Sequence, residues 1–286
     1  MDQYIVLSRN NGVTRLGSPY CTLKIKNQEQ ELTVAVWDVA SGDPPAVGQL
    51  VSFVTMQKGD GKCSARKVDM RIGTIPDDSH PLYNLIPRPI GREIWDASIR
   101  NLVAMSGNSP YSEMIIDVAD KLYQPYSQFP AASSIHHAFR GGLLNHVYQM
   151  LHMLEGIASC MPYPIRIDHC VLAILFHDYG KVQTYNRDGE IQPEDSLLGH
   201  IYISAVALQR ELERREAPQD EVQRIIHIVL AHHGQKDWGS PVVPCSQEAM
   251  LVHFLDNLSA KSDTIDGSAD MEYVSALSTR VPRSHC

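Results

Sequence analysis

The sequence predicts two domains of different fold class, a small all-β barrel at the N-terminus and an all-α domain over the rest of the chain. Three observations predict it. Up to about residue 75 apolar and polar side chains alternate with a period of two, and from about residue 90 apolar residues recur at helical spacing. Between them IPDDSHPLYNLIPRPIG carries four prolines and resists regular structure. The expected boundaries are a β domain over 1–75, a linker over 76–90 and a helical domain over 91–286.

The β elements come first. Tyr20 to Lys26 alternates as YCTLKIK and Glu31 to Val39 as ELTVAVWDV, with the polar NQEQ between them as a hairpin turn. Gln49 to Met56 supplies a third strand, and after Lys58-Gly59-Asp60-Gly61 a fourth runs from Lys62 to about Ile72. Short strands at this spacing favour a small barrel. In the second half, Ile94, Trp95, Ile99, Leu102 and Val103 place a helix over Arg92 to Met105, and Ser112 to Tyr123 forms another. HCVLAILFHDYGK carries a stripe at Val171, Leu172, Leu175 and Phe176, with Asp168 where an N-cap would sit. Val222, Ile225, Ile226, Val229, Leu230 and His233 share one helical face, as do Ala249, Val252 and Asp256. The charged ELERRE, Glu211 to Glu216, reads as the solvated end of a helix that begins after Asp195.

Composition narrows the class. At 286 residues with 43% hydrophobic content the chain can bury two ordinary cores. Its net charge of −8 argues against a wholesale nucleic-acid coat, although Tyr20 to Arg71 holds seven Lys or Arg against six Asp or Glu and is near neutral. No apolar run approaches the ~18 residues of a membrane span. MDQYIVLSRNNG lacks the basic start and apolar stretch of a secretion signal, so a cytoplasmic location is expected. The six cysteines never form a CxxC pair and read as thiols in a reducing compartment. No Ser-His-Asp pattern, P-loop or GxGxxG turn appears, which sets aside acyl transfer and nucleotide-triphosphate motors.

The chemistry-bearing residues lie in the helical half. His177 and Asp178 are adjacent in LAILFHDYGK, and further candidates follow at wide spacing: His146 in GGLLNH, His200 in LLGH, His232 and His233 in AHHG, and Asp256 in LVHFLDN. A lone histidine on an apolar face reads first as a hydrogen-bonded core residue. A set of them on the inward faces of several helices is costly to bury unless something pairs them, and a metal cluster does so. Lys181 follows Asp178 by three residues, close enough in a helical turn to contact a phosphate, while spacing alone fits a solvated lysine equally well.

The order H…HD…H…HH…D resembles the HD-domain metal-dependent phosphohydrolases. That resemblance implies an all-helical domain in which His146, His177, Asp178 and Asp256 hold one ion, and Asp178 bridges to a second ion held by His200 and His232 or His233. It also implies that Lys181 of the HDxGK pattern contacts phosphate. Histidine-rich coordination disfavours magnesium and points to a divalent transition metal in two copies, manganese first, with iron, cobalt, nickel and zinc as alternatives. Such a set leaves a net charge of about +2, suited to an anionic phosphate.

Longer strings sharpen the resemblance. SPYCTLKIKNQEQELTVAVWD followed by VGQLVSFV is similar to OB-fold nucleic-acid-binding domains. FPAASSIHHAFRGGLLNH, ILFHDYGKV, LLGHI and AHHGQKDWGSPVVPCSQEAMLVHFLDNLSAK resemble the YhaM-type 3′-to-5′ exoribonucleases, which join an OB fold to an HD domain. This implies metal-dependent hydrolysis of single-stranded nucleic acid, RNA before DNA, to nucleoside 5′-monophosphates, with Asp178 and Lys181 as catalytic residues. His136, His137 and Arg140 would border the substrate, and Lys24, Trp37 and Arg66 would contact it on the barrel, with Tyr20 as a second stacking ring. Two other functions remain compatible: an HD phosphohydrolase acting on a nucleotide or cyclic dinucleotide with a regulatory barrel, and a non-catalytic nucleic-acid-binding factor. No membrane partner is expected, and a homo-oligomer is compatible with the chain.

Overall fold

The polar NQEQ turns because Asn27 folds it: its Oδ1 accepts from the Glu29 and Gln30 amides, both at 2.9 Å. The flanking strands are Pro19–Lys26 (β2) and Glu31–Trp37 (β3), antiparallel from Tyr20 opposite Trp37 to Lys26 opposite Glu31. The alternation of β2 buries Cys21, Leu23 and Ile25 and turns Tyr20, Thr22, Lys24 and Lys26 to the other face. In the computed structural model, residues 1–39, 44–59, 62–132, 137, 139–186, 197–262, 271–274 and 279–282 are described.

The remaining strands of this sheet are Tyr4–Val13 (β1), Leu50–Phe53 (β4), Gln57–Gly59 (β5), Lys62–Arg66 (β6) and Met70–Ile72 (β7), in the order β5-β6-β3-β2-β1-β4-β7. The sheet curls into a half-barrel around Val6, Leu23, Ile25, Val34, Val36 and Val51. Three places differ from expectation, one being β5, which pairs with β6 where Lys58 to Gly61 was expected only to connect strands. β1 is silent in the sequence pattern because Asn10-Asn11-Gly12 reads as a turn, yet it pairs with β2 as far as Val13 opposite Pro19. The single strand expected from Lys62 to Ile72 is two strands. A 3-10 turn at Lys67–Asp69 carries the chain from β6, parallel to β3, to β7 beside β4 on the opposite edge.

The chain divides into two compact units, Met1–Arg88 with Ala138–Arg140, and Pro89–His137 with Gly141–Cys286. Within the proline-rich stretch a 3-10 turn, Tyr83–Leu85, follows Leu82, which is buried against Ile5 and Leu50.

The second unit contains Arg92–Met105 (α1), Ser112–Tyr126 (α2), Gly142–Ile157 (α3), Ile167–Phe176 (α4), Lys181–Thr184 (α5), Gly199–Arg214 (α6), Gln219–Ala231 (α7) and Gln247–Ser262 (α8). α4 is central. Its run IDHCVLAILF is buried from Asp168 to Phe176, and α1, α2, α3, α6, α7 and α8 all pack on it. Asp168 lies in its first turn, where Arg166 donates to Oδ2 at 2.8 Å and Ser109 donates to the same oxygen at 2.6 Å. Glu211 of ELERRE binds Arg215, as a solvated helix end should, and the helix expected to begin after Asp195 starts at Gly199, with Leu198 in the N-cap position. The helical half also carries a short antiparallel ladder, Met271–Val274 with Thr279–Pro282, which the all-α expectation did not include. Among the described residues no helix is long and apolar enough to cross a membrane.

Candidate metal centre

Because α4 is apolar on every side it runs through the middle of the bundle, and the residues that end it, His177 and Asp178, are delivered to the interior with 0% and 2% exposure. The other candidates converge there from four helices. His146 lies in α3, His200 in the first turn of α6, His232 and His233 at the end of α7, and Asp256 in α8. Two groups form. His146, His177 and Asp178 bring one ligand atom each within 4.8 Å of one another, and so do His200, His232 and His233. Asp256 Oδ1 stands 3.1 Å from His146 Nε2, and Asp178 Oδ1 stands 3.5 Å from His200 Nε2.

A glycine permits this convergence. A β-carbon at residue 180 would stand 2.2 Å from the His200 carbonyl oxygen, so only glycine lets the turn after Asp178 touch the start of α6. The Gly180 amide also donates to Ser204 Oγ at 2.9 Å, fixing α6 in place.

The tautomers follow from the hydrogen bonds. His177 Nδ1 donates to the Ile174 carbonyl at 2.8 Å, His232 Nδ1 to Val229 at 2.6 Å and His233 Nδ1 to Trp238 at 2.8 Å. Ser259 Oγ gives its proton to Gln149 Oε1 at 2.6 Å and therefore accepts from His146 Nδ1 at 2.8 Å. Every Nδ1 so engaged leaves its Nε2 with a lone pair, the arrangement by which outer groups orient metal-ligating imidazoles. His146 Nε2 and His177 Nε2 then face each other at 3.1 Å. Two lone pairs at that distance repel unless a proton or a cation stands between them. Nε2 of His200 and of His232 and Oδ1 of Asp178 are buried with no hydrogen-bond partner. Orphaned nitrogen and oxygen acceptors aimed at one spot fit divalent transition metals.

The electrostatics agree. Burial pushes His200 down to about 4 and His232 well below the usual imidazole value, and it outweighs Asp256 in lowering His146. These rings are neutral bases. For His177 burial is outweighed by Asp178 and Asp256, which raise its pKa, so these carboxylates call for positive charge. Burial would raise Asp178, yet Lys181, His177 and His200 hold it well below the carboxylate range, and His146 does the same for Asp256. Lys181 is buried too, and Asp178 overcomes that burial to keep its ammonium charged. Lys181 thus sits on a carboxylate at 2.6 Å, not in solvent.

The centre opens into a cleft of about 220 Å³ lined by Asp178, Lys181, His232, His233, Trp238 and Asp256. A larger cleft of about 610 Å³ lies elsewhere, beside Arg166, Asp168 and Glu221, but its charges pair with one another, Arg166 with Glu221 at 3.1 Å. It offers no comparable orphaned nitrogen.

The other site candidates fall in three places. His137 is buried next to His146, with ring centroids 5.7 Å apart, and reaches Gln149 Oε1 at 3.2 Å. Arg140 is exposed just before α3, and His136 lies outside the described residues. Lys24, Trp37 and Arg66 share the solvent face of the half-barrel with Tyr20. Trp37 pairs with Tyr20 on one side, ring centroids 5.2 Å apart, and with Arg66 on the other. Both cations there have carboxylate partners, Lys24 with Glu31 at 3.0 Å and Arg66 with Asp38 at 3.2 Å.

Sequence reasoning missed Gln149, Ser259 and His253, all of which the helical period places near a candidate ligand. Gln149 follows His146 by three residues, Ser259 follows Asp256 by three, and His253 precedes it by three. His253 Nδ1 donates to the His232 carbonyl at 2.8 Å, and its ring occupies the space where a β-carbon on Gly234 would lie.

Residues 143–261 match the family model described as HD domain. Over its length the chain is similar to 3′-5′ exoribonucleases named YhaM. It is 28% identical to that of Bacillus subtilis, covering 93% of this chain and 86% of the relative, and 28% identical to that of Bacillus licheniformis with the same coverage. The protein from a Geobacillus species is 27% identical, covering 93% of this chain and 84% of the relative.

Proposed function

We propose that this enzyme, a metal-dependent phosphodiesterase carrying an HD domain, hydrolyses single-stranded nucleic acid from its 3′ end, RNA before DNA, and releases nucleoside 5′-monophosphates. The observation that carries the reading is the facing pair of Nε2 lone pairs on His146 and His177, 3.1 Å apart with both Nδ1 atoms committed elsewhere. His146, His177, Asp178 and Asp256 would hold one divalent ion and His200, His232 and His233 a second, with Asp178 between them. Manganese is the first choice by donor set. Ions held there supply Lewis-acid polarisation of a phosphoryl oxygen and a nucleophile from water at neutral pH.

The chain's own residues do the rest. Asp178 presents Oδ2 to Lys181 and His177 and leaves Oδ1 toward His200, so one carboxylate serves both groups. Lys181 keeps a charge at the cleft floor where a phosphate would arrive. Ser259, itself bound to Gln149, holds the His146 imidazole in orientation, and His253 fixes the backbone carbonyl of His232. On the half-barrel, Tyr20 and Trp37 would stack upstream bases while Lys24 and Arg66 exchange carboxylate for phosphate. Exposed ion pairs of this kind are worth roughly 0–1 kcal/mol, so the exchange is cheap.

The test is a 5′-labelled single strand incubated with the manganese-loaded protein. Stepwise shortening from the 3′ end with mononucleotide release is expected, and strand binding should weaken with salt at a slope of roughly −0.7 per neutralised phosphate. Turnover of free nucleotides or cyclic dinucleotides with no shortening of the strand would overturn the reading.

A further inference from the structure

The Trp238 side chain offers no metal ligand, yet it lines the cleft at the candidate centre, and the residue is 47% exposed. Its position is geared to the centre, because its carbonyl accepts the His233 Nδ1 proton at 2.8 Å. The 3-10 turn Lys236–Trp238 and the left-handed Gly239 that follows it, φ +86°, set where the ring projects. The His253 ring lies 6.1 Å away, and the ammonium of Lys261 stands 5.3 Å from the indole centroid. A large aromatic surface at the edge of an otherwise polar cleft, beside a cation, is the chemistry that seats a nucleobase with its phosphate.

We propose that Trp238 stacks the 3′-terminal base of the strand and thereby places the scissile phosphodiester over the metal centre. The inference rests on the proposed exonuclease reading and extends it to one residue that selects the substrate end. Stacking prevails over the contact it displaces. A base on an indole is worth roughly 5- to 150-fold in affinity, against roughly 2- to 30-fold for a half-buried cation such as Lys261 over the same ring. Because every base has a π face, the seat tolerates all four bases but not the absence of one.

The experiment compares two RNA strands, one intact and one ending in an abasic 3′ residue, by kcat/KM in the manganese-loaded full-length protein. Wild type should prefer the intact strand roughly 5- to 150-fold. Trp238→Ala should bring that ratio toward 1, and Trp238→Phe should keep most of it, with bound manganese and Tm measured in each. As a readout independent of turnover, fluorescence quenching by the two strands is followed in Trp37→Phe/Asp178→Asn, with and without Trp238→Phe. Quenching that needs Trp238 and the terminal base supports the proposal. Cleavage of both strands at equal rates, or a ratio unchanged in Trp238→Ala, overturns it while leaving the exonuclease reading intact. Base-dependent quenching without any cleavage keeps the seat and overturns the exonuclease reading. Neither cleavage nor quenching overturns both.

Discussion

The ammonium of Lys181 stands 2.6 Å from Asp178 Oδ2, with the lysine 8% exposed and the aspartate 2% exposed. The contact spans one helical turn, i to i+3, across the end of α4, so the same turn that brings the carboxylate into the bundle brings its counter-charge. It commits one carboxylate oxygen and leaves Oδ1 without a hydrogen-bond partner, 3.5 Å from His200 Nε2. A buried carboxylate so divided is preset to serve two cationic neighbours.

Asp178→Asn removes that charge while keeping the shape of the side chain. Hydrolysis should fall by about 10³-fold or more, on the scale of losing a leading electrostatic group. The far-ultraviolet circular dichroism should not change. Bound metal per chain, measured by elemental analysis, should drop below that of wild type, and an unchanged rate would remove Asp178 from the centre.

Lys181→Ala leaves a buried carboxylate without its cation. Breaking such a pair costs roughly 3–5 kcal/mol, so the metal-free variant should melt well below the metal-free wild type. Added manganese should restore most of the lost Tm, because the ion takes over the lysine's charge. Turnover should stay roughly 10- to 100-fold low even when metal occupancy is restored. Full recovery of turnover with metal would make Lys181 a scaffold residue only.

Gly180→Ala tests the close approach of two backbones. Gly180 has an ordinary φ of −58°, so backbone strain does not enter; the added β-carbon meets the His200 carbonyl at 2.2 Å. The start of α6 must move, at a cost of roughly 1–3 kcal/mol for overpacking. A shift of His200 by even 1 Å is expected to lower the rate by about 10²-fold. A Tm and rate equal to wild type would show that α6 gives way freely.

The thiols provide a pH-linked check on the fold. Burial pushes Cys21 up to about 11, and Cys170, buried in α4, is raised further by the same cause. A raised thiol pKa means the protonated, unreactive form dominates at pH 8. Iodoacetamide at that pH should label the exposed Cys160 and Cys245 in the native protein and reach Cys21 and Cys170 only after unfolding. Mass mapping that finds Cys21 among the first thiols labelled would contradict the half-barrel core.

Much of the centre was legible because its residues announce themselves in short strings. His177 and Asp178 are adjacent, and each of the other candidates sits at a helix end or on an inward stripe that the period of 3.6 makes visible. The orienting residues were less visible, since a serine or glutamine three positions from a histidine is ordinary on any helix. β2 and β3 were readable from strict alternation. β1 was not, because its pairing with β2 overrides a turn-like Asn-Asn-Gly, and the break between β6 and β7 depends on which edge of the sheet each half finds.

The sequence by itself determined the two fold classes, the apolar stripes and the kinds of ligand atom, since these follow from side-chain chemistry and period. It could not say that His232 and His233 both stand beside His200, nor whether Lys181 meets solvent or Asp178. Those were decided by tertiary structure, where α4 carries its own end into the bundle and Gly180 lets α6 close on it. The 3.5 Å between Asp178 Oδ1 and His200 Nε2, which lie on separate elements, is set by packing, which no local spacing encodes.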